Sequence, residues 1–111
     1  MVRQGEIIKV NFNPRTGHEQ AGYRPAVVVS NDVFNAKTGL VLVCPITNTD
    51  NGFPLHIPLS DGLQTTGVIL CEHIRALDIN SRGFKSIEQL PDDILRQVTD
   101  IIFAEVEILQ D

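Results

Sequence analysis

The chain has no apolar run long enough to cross a bilayer as a helix, so no membrane-spanning segment and no membrane partner is expected. It has no basic-then-apolar leader either, since Glu6 and Lys9 interrupt its first residues. A cytoplasmic location is expected. Cysteine is scarce, and Cys44 and Cys71 each close an apolar run. They read as small buried hydrophobes, and no paired-cysteine metal spacing exists. There is no Gly-rich phosphate loop, no nucleophile elbow centred on serine and no paired-carboxylate signature. No cofactor and no metal is expected. Internal repeats, low-complexity runs and linkers are also missing, so residues 1–111 are read as a single domain.

Positive charge is in short supply too. Nine bases face 14 acids, a formal net charge of −5, which argues at first against a nucleic-acid partner. The distribution weakens that argument. Residues 88–111 hold seven of the acids and one base, Arg96, leaving residues 1–87 with eight bases against seven acids. A local basic patch fits within the first 87 residues.

Hydrophobic content of 42% is ordinary for a globular protein. Residues 6–12 alternate, with Ile8, Val10 and Phe12 on one face, and read as a strand. Residues 26–30 and 40–46 are continuous apolar runs and read as buried strands. Asn31-Asp32 caps a short helical turn through Lys37 that Gly39 closes. Residues 53–59 alternate, with Phe53, Leu55, Ile57 and Leu59 on one face. Pro54 and Pro58 mark that segment as an edge strand. Residues 66–71 form a fifth strand, and 72–87 read as strand continuation and basic loop. Pro91 at the first helical position, then Asp92 and Asp93, opens a final helix. Its apolar stripe is Ile94, Val98, Ile101, Ile102 and Val106. The expected architecture is a small, strongly bent antiparallel sheet or barrel capped by helices.

The densest chemistry lies in Gly17-His18-Glu19-Gln20-Ala21-Gly22-Tyr23-Arg24-Pro25, followed by the apolar strand Ala26–Ser30. Pro25 holds the backbone of Arg24 extended, and the guanidinium can fork onto a phosphate. Pairing with Glu19 on the surface explains Arg24 equally well. His18 and Glu19 form a candidate acid–base pair, with a solvated turn as the alternative. Gln20 can read a base edge. Thr47 ends a strand with a hydroxyl able to donate to a phosphate oxygen, although an ordinary strand-end threonine looks the same. If extended, Cys71, His73 and Arg75 share a face, but zinc would lack further ligands. Arg75 is expected to pair with Asp78, and Arg82 and Lys85 to be solvated. An arginine, a threonine and a histidine or glutamate suffice for one reaction in particular. RNA carries its own nucleophile, the 2′-hydroxyl, so the protein need only align it and stabilise transition-state charge.

Taken in order, these pieces resemble the MazF/PemK (Kid-like) family of bacterial toxin endoribonucleases, or mRNA interferases. The resemblance rests on Gly5-Glu6-Ile7, Gly17–Gln20, Gly22–Ser30, Pro45-Ile46-Thr47, Thr65–Val68 and Ile74–Asp78. It implies an SH3-like barrel with a C-terminal helix. It also implies a homodimer and metal-independent, sequence-specific cleavage of single-stranded mRNA to 2′,3′-cyclic phosphate and 5′-hydroxyl ends. Growth inhibition would be relieved by a MazE-like antitoxin, with DNA engaged only through that antitoxin. Arg24 and Thr47 match the family's catalytic pair, Glu19 a supporting glutamate, and His18 a histidine of the Kid branch. Gln20, Asn48, Asn51, Phe53, Thr66 and Val68 are the RNA-groove candidates. Leu70 and Glu72 stand where the Kid branch has an arginine and an aspartate, so the Arg24/Thr47 arrangement is favoured. Arginine holds its proton too tightly for a comfortable base, which assigns Arg24 mainly to transition-state charge and leaves the base to Glu19 or His18. The competing readings are a gyrase-inhibiting toxin of the same fold and a catalytically inactive binding module.

Overall fold

A computed structural model describes residues 2–14, 17 and 22–110. The strands are β1 (Glu6–Asn11), β2 (Tyr23–Val28), β3 (Val41–Thr47), β4 (His56–Pro58), β5 (Val68–Leu70), β6 (Arg75–Leu77) and β7 (Phe84–Gln89). The helices are α1 (Asp32–Thr38), α2 (Ile79–Arg82) and α3 (Asp92–Val106), with a 3₁₀ turn at Cys71–His73. Among the described residues the strands form one antiparallel sheet in the order β4-β5-β3-β2-β1-β7, with β6 also pairing β3. This is the mainly β architecture with a C-terminal helix that the sequence predicts.

β2 and β3 read as continuous apolar runs because both of their faces are covered, and β1 beside them turns residues to both faces as well. Ile7, Val27, Cys44 and Ile46 point into a cluster with Ile69, Leu90, Ile94 and Val98, the last two from α3. Ile8, Val10, Ala26, Val28 and Val43 point the other way, into a second cluster closed by Leu77 and Ile79. Each fully buried Val or Ile stabilises the fold by about 1.5–3 kcal/mol relative to exposure. Helix α1 is punctuated as its sequence predicts. Asn31 accepts from the Phe34 N–H, and Gly39 ends the helix with φ +73°.

Four sequence expectations change. The Phe53–Leu59 segment pairs only over His56–Pro58, and Phe53 is 44% exposed instead of facing the core. Pro58 lies in the edge strand β4, where its missing N–H costs no ladder bond, whereas Pro54 lies in the turn before it. The 72–87 segment is not a continuing strand with a loop. It folds as a 3₁₀ turn, β6, α2 and the start of β7, which pairs β1 across a register shift at Ile7/Ile8. In β7 only Ile87 and Glu88 are half-buried, so no apolar period announces the strand. Pro91 caps α3 from just outside, and the α3 stripe ends early, leaving Val106 73% exposed. Finally, Arg75 does not pair with Asp78. Its Nη1 reaches the Phe12 carbonyl at 3.5 Å and its guanidinium lies 5.8 Å from the Phe12 ring centre. Asp78 instead caps α2, accepting from the Ser81 N–H and hydroxyl at 3.2 and 3.0 Å.

Candidate functional site

The sheet sets two of the sequence candidates against each other. β2 and β3 pair Ala26 with Pro45, and Arg24 and Thr47 lie two residues further along on the face those two share. Both are half-buried. Arg24 is extended within β2 beside Pro25, as the X-Pro step requires. Thr47 pairs with Val68 across β5, and its Oγ1 accepts from the Thr49 N–H at 3.2 Å. That bond leaves the hydroxyl proton to donate outward.

The next residue on each strand, Pro25 and Asn48, points to the opposite face, where the two line a groove of about 330 Å³ together with Lys9, Gln64, Thr65, Thr66 and Ile87. Thr66 donates to the Asn48 Oδ1 at 2.9 Å, which ties the two walls. Asn48 and Thr66, both RNA-groove candidates, thus meet across this groove. Asn51 and Phe53 sit on the exposed loop beyond them. There the Asn51 Oδ1 accepts from the Phe53 N–H at 3.1 Å. Val68 is 7% exposed and supports the wall from behind instead of facing solvent. His18, Glu19 and Gln20 lie outside the described residues.

Sequence reading missed Lys9, Gln64, Thr65 and Glu88. Lys9 alternates with core residues and so looks like a solvated strand position. Only the register Lys9↔Pro25 brings it to the groove, with Lys85 directly opposite on β7. Its Nζ lies 5.8 Å from the ring centre of the exposed Tyr23. Two like charges across a strand pair are unfavourable unless something offsets them. Arg82 adds order nearby, donating from Nη1 to the carbonyls of Asn11 and Asn13 at 2.8 Å each. It ties down the chain where it leaves β1 and is not simply solvated.

Glu88 holds the far wall. Its carboxylate accepts from the Gln64 N–H at 3.0 Å, the Thr65 N–H at 2.8 Å and the Thr65 hydroxyl at 2.7 Å. Burial alone pushes this carboxyl up, but the three donated hydrogen bonds outweigh it and hold it below the usual range. A depressed folded pKa contributes stability above the unfolded value that is lost as pH falls. The melting-temperature gap between wild type and Glu88→Gln should therefore hold level down to roughly pH 4.3 and close below it. A gap that widens on acidification would contradict this role.

No cluster of three or more His, Cys, Asp or Glu side chains suited to a metal occurs among the described residues. Cys71 and His73 share a 3₁₀ turn and not an extended face. Both cysteine thiols are buried, and burial pushes them well up, Cys71 to about 12, so they are poor nucleophiles. Among the described residues no helix is long and apolar enough to cross a membrane.

Residues 3–104 match the family model described as PemK-like, MazF-like toxin of type II toxin–antitoxin system. The chain is 37% identical over 102 residues to the endoribonuclease PemK of Escherichia coli, covering 87% of this chain and 76% of that one. It is 38% identical over 110 residues to the E. coli K12 endoribonuclease toxin ChpB, covering 94% and 93%. The structure superposes on MazF (Form-I) from Deinococcus radiodurans with a TM-score of 0.90 at 36% identity, over 96% of this chain and 97% of that one. It also superposes on a MazE–MazF structure (Form-II) from the same organism with a TM-score of 0.84 at 35% identity, over 97% of each. A family model spanning nearly the whole chain and a shared fold agree, and the protein belongs to the PemK-like, MazF-like toxins of type II toxin–antitoxin systems.

Proposed function

We propose that this protein is an endoribonuclease that cuts single-stranded RNA with no metal, using the RNA's own 2′-hydroxyl. The observation that carries this reading is the convergence of Arg24 and Thr47 on one face of β2 and β3, at the strand ends around which the groove of Lys9, Asn48 and Thr66 lies on the opposite face. The 2′-oxygen bonds to phosphorus as the bond from phosphorus to the 5′-oxygen breaks. The 2′-proton passes to a base, and the 5′-oxygen takes up a proton as it leaves. Arg24 stabilises the charge that builds on the non-bridging oxygens, and Thr47 donates a hydrogen bond to one of them. A guanidinium stays protonated at working pH, so the base is Glu19 or His18. The products are a 2′,3′-cyclic phosphate and a 5′-hydroxyl.

The relatives named endoribonuclease PemK and ChpB support the activity, and the MazE–MazF structures support a MazE-like antitoxin as partner. We assign this protein the same kind of partner and a homodimeric state. Incubating the purified protein with a long single-stranded RNA in EDTA tests the reading. Discrete cuts with cyclic-phosphate ends are expected, and intact RNA would sink it.

Lys9, on the opposite face of the sheet from Arg24, is assigned to an RNA backbone phosphate beyond the scissile one. Lys9→Ala should weaken RNA binding and lower the slope of log K against log salt by about 0.7, the contribution of one single-strand phosphate contact. Cleavage at saturating RNA should be nearly unchanged. An unaltered salt slope would remove Lys9 from the RNA path.

A further inference from the structure

The loop between Thr47 and β4 carries Asn48, Asn51 and Phe53, and one side chain holds its far end. His56 opens β4 with its side chain only 7% exposed. Its Nδ1 lies 3.1 Å from the Asp50 Oδ1 and its Nε2 lies 2.8 Å from the Glu72 Oε2. An ionised carboxylate only accepts, and a neutral imidazole has one N–H. Both contacts are hydrogen bonds only when the ring carries two protons. His56 in this arrangement is an imidazolium bridging the loop to the 3₁₀ turn at Cys71–His73.

The loop is built around that bridge. Asp50 Oδ1 also accepts from the Gly52 N–H at 2.9 Å, and the His56 N–H donates to the Phe53 carbonyl at 3.0 Å. The Phe53 ring meets the His56 ring edge-on, with centroids 5.4 Å apart and planes at 68°. At the loop's other end Asn48 is tied to Thr66. Between those anchors the loop is exposed and has no core contact to hold it.

We propose that protonated His56 is a positioning residue that straps the 48–53 loop into a groove wall, so that RNA binding weakens as His56 loses its proton. This rests on the endoribonuclease reading only for its RNA arm. The groups facing the strap are Asp50 from the loop, Glu72, His73 and Cys71 from the 3₁₀ turn, Glu105 from α3 and Cys44 from β3. β5, which pairs β4, offers only Val68, Ile69 and Leu70. Burial pushes the imidazole down, but the bonds to Asp50 and Glu72 outweigh it and raise it above its usual value. Burial and the nearby Glu72 carboxylate raise the Glu105 carboxyl, and His73 Nε2 lies 3.9 Å from Glu72. Neither supplies a second bridge to the loop. A raised folded pKa gives a contact that is complete below the unfolded value, near roughly 6.5, and is lost as pH rises through the folded one.

The test follows amide exchange of residues 48–53, normalised for the intrinsic rate, from pH 5.5 to 9.5 in the RNA-free protein, alongside KM and kcat for RNA cleavage. In the wild type, protection of the loop should fall at least about tenfold as the His56 ring signal titrates, and KM should rise with it while kcat follows its own profile. His56→Gln should be unprotected and flat across the range. His56→Arg, a permanent fork for both carboxylates, should restore protection at pH 9.5. Asp50→Ala removes the acceptor at the strap's exposed end and should match His56→Gln. Loop protection in Asp50→Ala equal to wild type, or a wild-type loop that ignores His56 titration, overturns the proposal. Absence of RNA cleavage would count against the endoribonuclease reading and leave the exchange arms decisive for the strap.

Discussion

Replacing Arg24 with alanine is expected to lower kcat/KM for RNA cleavage by roughly 10³-fold, with the loss mostly in kcat. The expectation follows from where charge develops. As the 2′-oxygen attacks, the non-bridging oxygens gain charge that the ground-state phosphodiester does not carry. Removing one oriented donor from such a position typically costs 10²–10³-fold, about 3–4 kcal/mol. Arg24 supplies a full positive charge on a strand whose backbone is restrained by Pro25, so reorganisation during the reaction is small. Arg24→Lys should fall between, because an ammonium keeps the charge but loses the planar fork. Thermal midpoints of both variants should stay within a few degrees of wild type, since the side chain is only half-buried. Cleavage by Arg24→Ala within tenfold of wild type would place the transition-state cation elsewhere.

Which parts of this arrangement were legible in the sequence follows from what each part depends on. Thr47 looked like any strand-end threonine and was singled out only by the family resemblance, whereas Arg24 carried a local signal, a proline-locked residue before an apolar run. Helix α1 was legible for the same reason, since Asn31 and Gly39 write its ends into the chain. Lys9 was not, because its neighbourhood with Pro25 and Lys85 is created by register and not by spacing. β7 lacks a clean apolar period, so only its partner β1 defines it. Phe53 fitted an alternating pattern, but Asp50, Gly52 and His56 impose turns that remove it from the strand. His56 itself is silent in sequence, because its two carboxylate partners lie six residues behind and 16 residues ahead.

Gly67→Ala is the stability change expected to matter most, and it reaches the site directly. Gly67 has φ +115°, a region that alanine enters only with strain. A Cβ there would overlap the Thr47 carbonyl oxygen and lie 2.8 Å from the Thr47 carbonyl carbon and 3.1 Å from the Asn48 Oδ1. The obstacle is chiefly backbone, not the end of a flexible side chain, so it cannot swing aside. The same strand start is fixed on its other side, where Gly67 accepts from the Leu59 N–H at 3.0 Å and Val68 pairs with both Thr47 and Pro58. Backbone strain and overpacking together should cost at least about 2–3 kcal/mol. For a domain of this size that lowers Tm by more than about 10 °C. Gly62 separates the two causes. It has φ +94°, but a Cβ would meet nothing within 4 Å. Gly62→Ala therefore carries the strain without the overlap. It should lose stability by a smaller amount and keep its kcat. Gly67→Ala should lose more stability and also lose kcat in its folded fraction, because relieving the overlap displaces Thr47 from its place opposite Arg24. Equal stability and equal kcat in the two variants would show that the approach of β5 to Thr47 does not set the site.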